Sequence, residues 1–145
     1  MKTAVALLSA LVVVACASSK QPSGPEVTVR LAQPNASNDV FYFAGPVSIQ
    51  YQLAITNPTN QPLTLERLDL QTIGPGAYSL RTAATPMNLK IPPNGTSVFN
   101  IAVWGRSHGG YLTATEPVTI RGTAYFRGPT GSFVRIFTEN LSQMG

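Results

Sequence analysis

The sequence predicts an all-β chain: an antiparallel β-sandwich of seven to eight short strands behind an apolar amino-terminal leader. Three observations predict it. Downstream of the leader, apolar residues recur with a period of two, as in Val47, Ile49, Tyr51, Leu53 and Ile55, and no helical i, i+3, i+4, i+7 pattern lasts three turns. Proline and glycine, 12 of each in 145 residues, fall between these runs, where they set turn dihedrals and interrupt helices. Charged residues make up 11% and hydrophobic residues 43%, too apolar a balance for a disordered chain. The length suits one domain.

The leader comes first. Met1-Lys2-Thr3 places one side-chain charge beside the α-amino group, and residues 4–15 follow with Ser9 as their only polar member. As a helix that stretch would rise roughly 18 Å at about 1.5 Å per residue, short of a hydrocarbon core about 30 Å thick. A basic start, a short apolar run and a small-residue end make residues 1–15 a secretory signal peptide. Residues 16–25 then read as a polar Ser/Pro/Gly tether, residues 26–140 as the sandwich domain, and residues 141–145 as a tail. Cleavage before Cys16 removes Lys2 and leaves nine basic against six acidic residues, a net charge of +3.

Val13-Val14-Ala15-Cys16 resembles the lipobox of bacterial lipoproteins. The resemblance implies cleavage between Ala15 and Cys16, a diacylglyceryl group on the Cys16 sulfur, and a further acyl chain such as palmitate on the new amino terminus. Cys16 is the only cysteine, so no disulfide can form within the chain and the lone thiol stands where an anchor is needed. Two or more acyl chains hold a protein stably, whereas one is marginal at about 0.8 kcal/mol per buried CH₂. Ala17 follows the anchor; similarity to the known sorting pattern would favour the periplasm-facing leaflet of the outer membrane in a Gram-negative cell. A second reading also fits. Ala15-Cys16-Ala17 is an A-x-A-like site, and cleavage after Ala17 would release a soluble secreted sandwich protein. The sequons at Asn35, Asn94 and Asn140 would suit glycosylation under that reading.

The strands follow in order. Glu26 to Leu31 is a weak candidate, as is Phe41 to Phe43. Val47 to Ile55 is the clearest, its odd positions large and apolar and its even positions small or polar. Leu63-Thr64-Leu65 alternates, then Leu68-Asp69-Leu70 resumes in the opposite phase across Glu66-Arg67, which predicts a bulge or a change of sheet. Phe99, Ile101 and Val103 share one face, as do Val118, Ile120, Ala124 and Phe126, with Thr119, Arg121, Thr123 and Tyr125 outward. Phe133, Arg135 and Phe137 face away from Val134 and Ile136, so either face of that strand can be buried. Turns are expected at 57–62, 74–76, 91–96 and 128–131.

Leu53-Ala54-Ile55-Thr56-Asn57-Pro58-Thr59, then Gln61-Pro62-Leu63-Thr64-Leu65, with the later turn Ile91-Pro92-Pro93-Asn94-Gly95, resembles an immunoglobulin-like exported module. The pattern is similar to the water stress and hypersensitive response domain of late embryogenesis abundant type 2 proteins, and to bacterial lipoprotein sandwiches. It covers about fifty residues and departs from the plant-type pattern at Thr59, where Asn is usual. The resemblance implies an immunoglobulin-like β-sandwich and, as an alternative role, stress protection or contact with lipid or glycan.

Chemistry is sparse. The loop Gly105-Arg106-Ser107-His108-Gly109-Gly110-Tyr111 holds the only histidine. A hydrolase would need Ser107 or a remote serine as nucleophile, His108 as base and an acid such as Asp39 or Asp69 to orient it, but neighbouring Ser and His side chains in a strand point to opposite faces. A solvated loop histidine is expected instead. Neither metal-ligand spacing nor a phosphate-binding loop occurs, so no metal and no cofactor is expected. Arg121, Tyr125 and Arg127 are expected to share an exposed face, either a patch for anionic lipid or glycan or an ordinary solvated sheet surface. Trp104, at a strand end, is expected to pack at the core or its rim. The sequence therefore predicts a lipid-anchored, exported, non-enzymatic binding or assembly module of the bacterial cell envelope. It would be tied to the membrane through Cys16, partnered by another envelope protein and not by nucleic acid.

Overall fold

A chain that alternates apolar and polar residues gains most by burying one face of each strand against a second sheet. The computed structural model describes residues 24–34, 41–81 and 83–142; the leader, Cys16, Asn35 and Asp39 lie outside the described residues. Eight strands form: β1 (Thr28–Ala32), β2 (Gly45–Asn57), β3 (Leu63–Ile73), β4 (Tyr78–Ser79), β5 (Ala83–Ile91), β6 (Gly95–Ser107), β7 (Val118–Gly128) and β8 (Gly131–Leu141). They build two four-stranded sheets, β1-β2-β6-β4 and β5-β3-β7-β8, antiparallel throughout. Strands β1-β2-β6 facing β3-β7-β8 reproduce the A-B-E and C-F-G order of an immunoglobulin-like sandwich, with β4 in the D position and β5 flanking β3.

The core lies between the sheets. Tyr51, Leu53 and Ile55 of β2 join Leu65, Leu68 and Leu70 of β3 and Ile120 and Phe126 of β7 in one buried cluster. The phase flip in β3 is a bulge: Leu65 pairs with Phe126 and Arg67 with the adjacent Tyr125, so Glu66 is extra. That added residue turns all four leucines of β3 inward. Strand β8 buries Phe133 and tucks Phe137 inward, leaving Val134 and Ile136 exposed. Phe133 stacks on Phe126 with ring centroids 5.2 Å apart, and Phe137 lies opposite Gly122, where a Cβ would come within 2.1 Å of its ring.

Polar groups are built into this core as well. Tyr51, fully buried, donates to the Tyr78 hydroxyl at 2.8 Å, and Tyr78 donates to Gln33 Oε1 at 2.9 Å. Burial, followed by the neighbouring Tyr78, pushes ionisation of Tyr51 far above the usual tyrosine range. Asn57, also fully buried, ties the corner after β2 to the turn before β6. Its Nδ2 donates to the carbonyls of Gln61 (2.8 Å) and Pro92 (3.1 Å), while its Oδ1 accepts from the Thr59 backbone and hydroxyl.

Three departures from the sequence reading have physical causes. Phe41–Phe43 is a turn, not a strand: Phe41 drops into the core and stacks on Tyr78 at 5.1 Å, while Phe43 stays exposed. Strands β4 and β5 were not anticipated. The chain passes from one sheet to the other between them, and Pro86 obscures the inward series Met87, Leu89 and Ile91. Finally, Gly24 and Pro25 belong to the sandwich rather than to a free tether, because Arg135 donates to both of their carbonyls.

Candidate functional site

Arg121, Tyr125 and Arg127 share the outer face of β7, as their alternation with Ile120, Ala124 and Phe126 requires. The fold also brings β3 alongside them, and this neighbour changes their electrostatics. Arg127 pairs with Glu66 at 2.7 Å. Arg67 pairs with Asp69 at 2.6 Å and holds its guanidinium 4.1 Å from the centre of the Tyr125 ring, an arrangement in which the cation meets the ring's negative face. Arg67 ionisation is displaced upward, chiefly by the hydrogen bond it donates to the Asp69 carboxylate. One face of Tyr125 is therefore occupied, and the face as a whole mixes both signs of charge.

The loop 105–111 resolves into a strand end and a corner. Ser107 is buried; its hydroxyl donates to the Phe41 carbonyl at 2.9 Å and accepts from the Gly109 backbone at 3.3 Å. The His108 backbone donates to the Ala77 carbonyl at 3.2 Å, leaving its side chain exposed. Gly109 and Gly110 have φ of 74° and 94°, values favouring glycine. Gly109 also abuts the Ala44 backbone, 2.7 Å from where a Cβ would stand. Asp69 lies on the outer face of the opposite sheet, so Ser107, His108 and Asp69 are not brought together. Among the described residues no group of three or more His, Cys, Asp or Glu is placed to hold a metal.

What sequence reasoning missed is an edge. Unpaired strand edges invite another chain, and sandwiches blunt them with short strands, proline, lysine or inward charges. Strand β1 is five residues long and carries Arg30. Strand β5 contains Pro86 and Lys90. Strand β8 turns Arg135 inward onto Gly24 and Pro25, and its Glu139 meets Arg30 at 3.5 Å. Strand β6 has none of these devices. One side of it pairs with β2 from Gly95 to Ser107, whereas β4 covers only Arg106 and Ser107 on the other. Along Gly95 to Gly105 that second side has no strand partner among the described residues, and the segment contains no charged residue. Beside it, between β5 and β6, opens a cleft of about 520 Å³ lined by Met87, Leu89, Val98, Phe99 and Ile101. The uncharged run is visible in the sequence, but its place at an edge is not.

Trp104 also departs from expectation. It follows inward Val103 and so points outward, 71% exposed. Its register partner on β2 is Ser48, too small to cover an indole.

No protein-family model and no curated protein matches the sequence. Solved structures do share the architecture. A crystal structure of a protein from Archaeoglobus fulgidus superposes with a TM-score of 0.50 at 6% identity, over 79% of this chain and 90% of that one. The X-ray structure of Northeast Structural Genomics Consortium target SoR45 gives a TM-score of 0.52 at 17% identity, over 82% of this chain and 86% of that one. At such identities the likeness is one of fold: a two-sheet antiparallel β-sandwich.

Proposed function

We propose that the chain is an exported, lipid-anchored binding module of the bacterial envelope that captures an extended segment of another envelope protein along β6. The observation that carries this reading is the uncharged, unblunted β6 edge beside an apolar cleft. An added strand pairs its backbone with Gly95–Gly105 and alternates its side chains. One set enters the cleft against Met87, Leu89, Phe99 and Ile101; the other runs beside Val98 and Ala102 on the outer face. A segment with alternating apolar residues and no charge at its centre suits this groove, because any charge there would be desolvated without a partner. The lipobox resemblance at Cys16 supplies the anchor and the compartment.

The test is site-specific photocrosslinking in intact envelopes. A crosslinker at Asn100 is expected to yield one discrete adduct, while one at Thr138 on β8 yields none. Val98→Lys with Ala102→Lys places charge at two exposed positions along the edge and should abolish the adduct while shifting stability by no more than about 0.5 kcal/mol. Equal labelling from both strands, or an adduct that survives the lysines, would overturn the reading.

A further inference from the structure

On the outer face of β6, away from the cleft, Arg81, Trp104 and Arg106 line one shallow depression of about 280 Å³, with Pro46 and Ser79 forming its wall. The position of each follows from the fold. Trp104 and Arg106 alternate with inward Val103 and Ser107, so both project outward. Pro46 and Ser79 are the register partners of Arg106 on the two flanking strands. Arg81 enters from the segment that carries the chain from β4 to β5.

Charge separates this depression from the arginine surface on the other sheet. The ion pairs among the described residues join Arg30 to Glu139, Arg67 to Asp69 and Arg127 to Glu66. None includes Arg81 or Arg106, and no carboxylate lines the depression. Around it the sheet presents neutral side chains: Ser48, Gln50, Gln52 and Ala102. Two guanidiniums without acidic partners thus flank an uncovered indole on a flat neutral surface.

We propose that this depression binds an acidic saccharide. The apolar C–H face of a pyranose packs against an indole plane, and guanidinium forks take a carboxylate or an ester phosphate in bidentate geometry. The size agrees, since about 280 Å³ is just below the range of about 300–1,000 Å³ for drug-sized ligands and suits one or two sugar rings. A membrane surface fits less well, because only Arg81 and Arg106 supply charge to the depression and Trp104 is the one large apolar side chain that lines it.

Trp104 is the only tryptophan, so indole emission from the full chain reports this site alone. Titration with an oligogalacturonate should shift or quench that emission, weaken as salt rises, and leave a neutral oligohexose of equal length without effect. Arg81→Gln and Arg106→Gln, both at exposed positions, should each lower the affinity about tenfold with thermal unfolding unchanged. Trp104→Ala, followed by calorimetry, should lose binding. An equal response to the neutral oligosaccharide, an undiminished response in both arginine variants, a response to phosphatidylglycerol vesicles and not to the uronate, or no response to any of these probes would each overturn the proposal.

Discussion

Asn57 is the residue that most clearly links the sequence to the fold. A fully buried amide needs every donor and acceptor answered, and its four hydrogen bonds join two corners that are far apart in the chain. Asn57→Ala would remove the donor to the Pro92 carbonyl and the acceptor for the Thr59 backbone amide, while the Gln61 carbonyl keeps the Thr59 hydroxyl; urea denaturation should show a loss of about 1–3 kcal/mol. Tyr51 yields a pH prediction. Its ionisation is raised in the fold by burial, so its contribution is fully present below about pH 10 and declines above it, as the unfolded chain releases a proton that the fold retains. Between pH 9 and pH 11 the wild type should lose about 1.4 kcal/mol more than Tyr51→Phe, read from denaturation midpoints at each pH. At this scale the Asn-Pro corner is legible in the sequence because its chemistry is local. The outward turn of Trp104 is not, since nothing nearby says that a serine will lie opposite.

Among the elements, period-two alternation is sufficient for strands with one wet face and no proline inside them. It marks β2, the inward face of β7 and the phase flip at Glu66-Arg67 in β3, which the pairing with β7 makes a bulge. It was insufficient for β8, where both faces are apolar. The choice there is made by Gly122 across the pair: with no Cβ, it leaves room for the Phe137 ring, and turning the strand over would lose that fit along with the Phe126–Phe133 stack. Gly122→Ala should cost about 1–3 kcal/mol through overpacking. In the Gly122→Ala/Phe137→Leu double variant the two costs should fall short of additive, because the clash is removed with the ring; a double-mutant cycle measures this. Strand β5 escaped notice for a different reason. An edge strand tolerates a proline that a central strand would reject, and Pro86 reads in sequence as a turn.

Across the whole molecule, charge is divided unevenly between the sheets. Strands β1, β2, β4 and β6 carry only Arg30 and Arg106, while β3, β5, β7 and β8 carry all the other strand charges. The sparsely charged sheet holds both proposed contact regions, the β6 edge and the Trp104 depression. The charged sheet neutralises much of its own surface through Arg67–Asp69 and Arg127–Glu66. The proposed anchor belongs to this scale as well. Mass spectrometry of the mature amino terminus should show an acylated Cys16, and Cys16→Ser should move the protein from the membrane to the soluble fraction; an unmodified chain beginning at Ser18 would point to simple secretion.

By itself the sequence determined the strand class, the inward faces of β2 and β7, the phase flip in β3 and the Asn57 corner. Each depends on residues adjacent in the chain or on a fixed two-residue period. That the flip is a bulge and not a change of sheet was decided by the pairing of β3 with β7. Only the tertiary structure decided which strand was left at an edge, which arginines met an acid and which aromatic stayed uncovered. Those outcomes depend on register between strands tens of residues apart, and a strand's own sequence does not encode what will lie beside it.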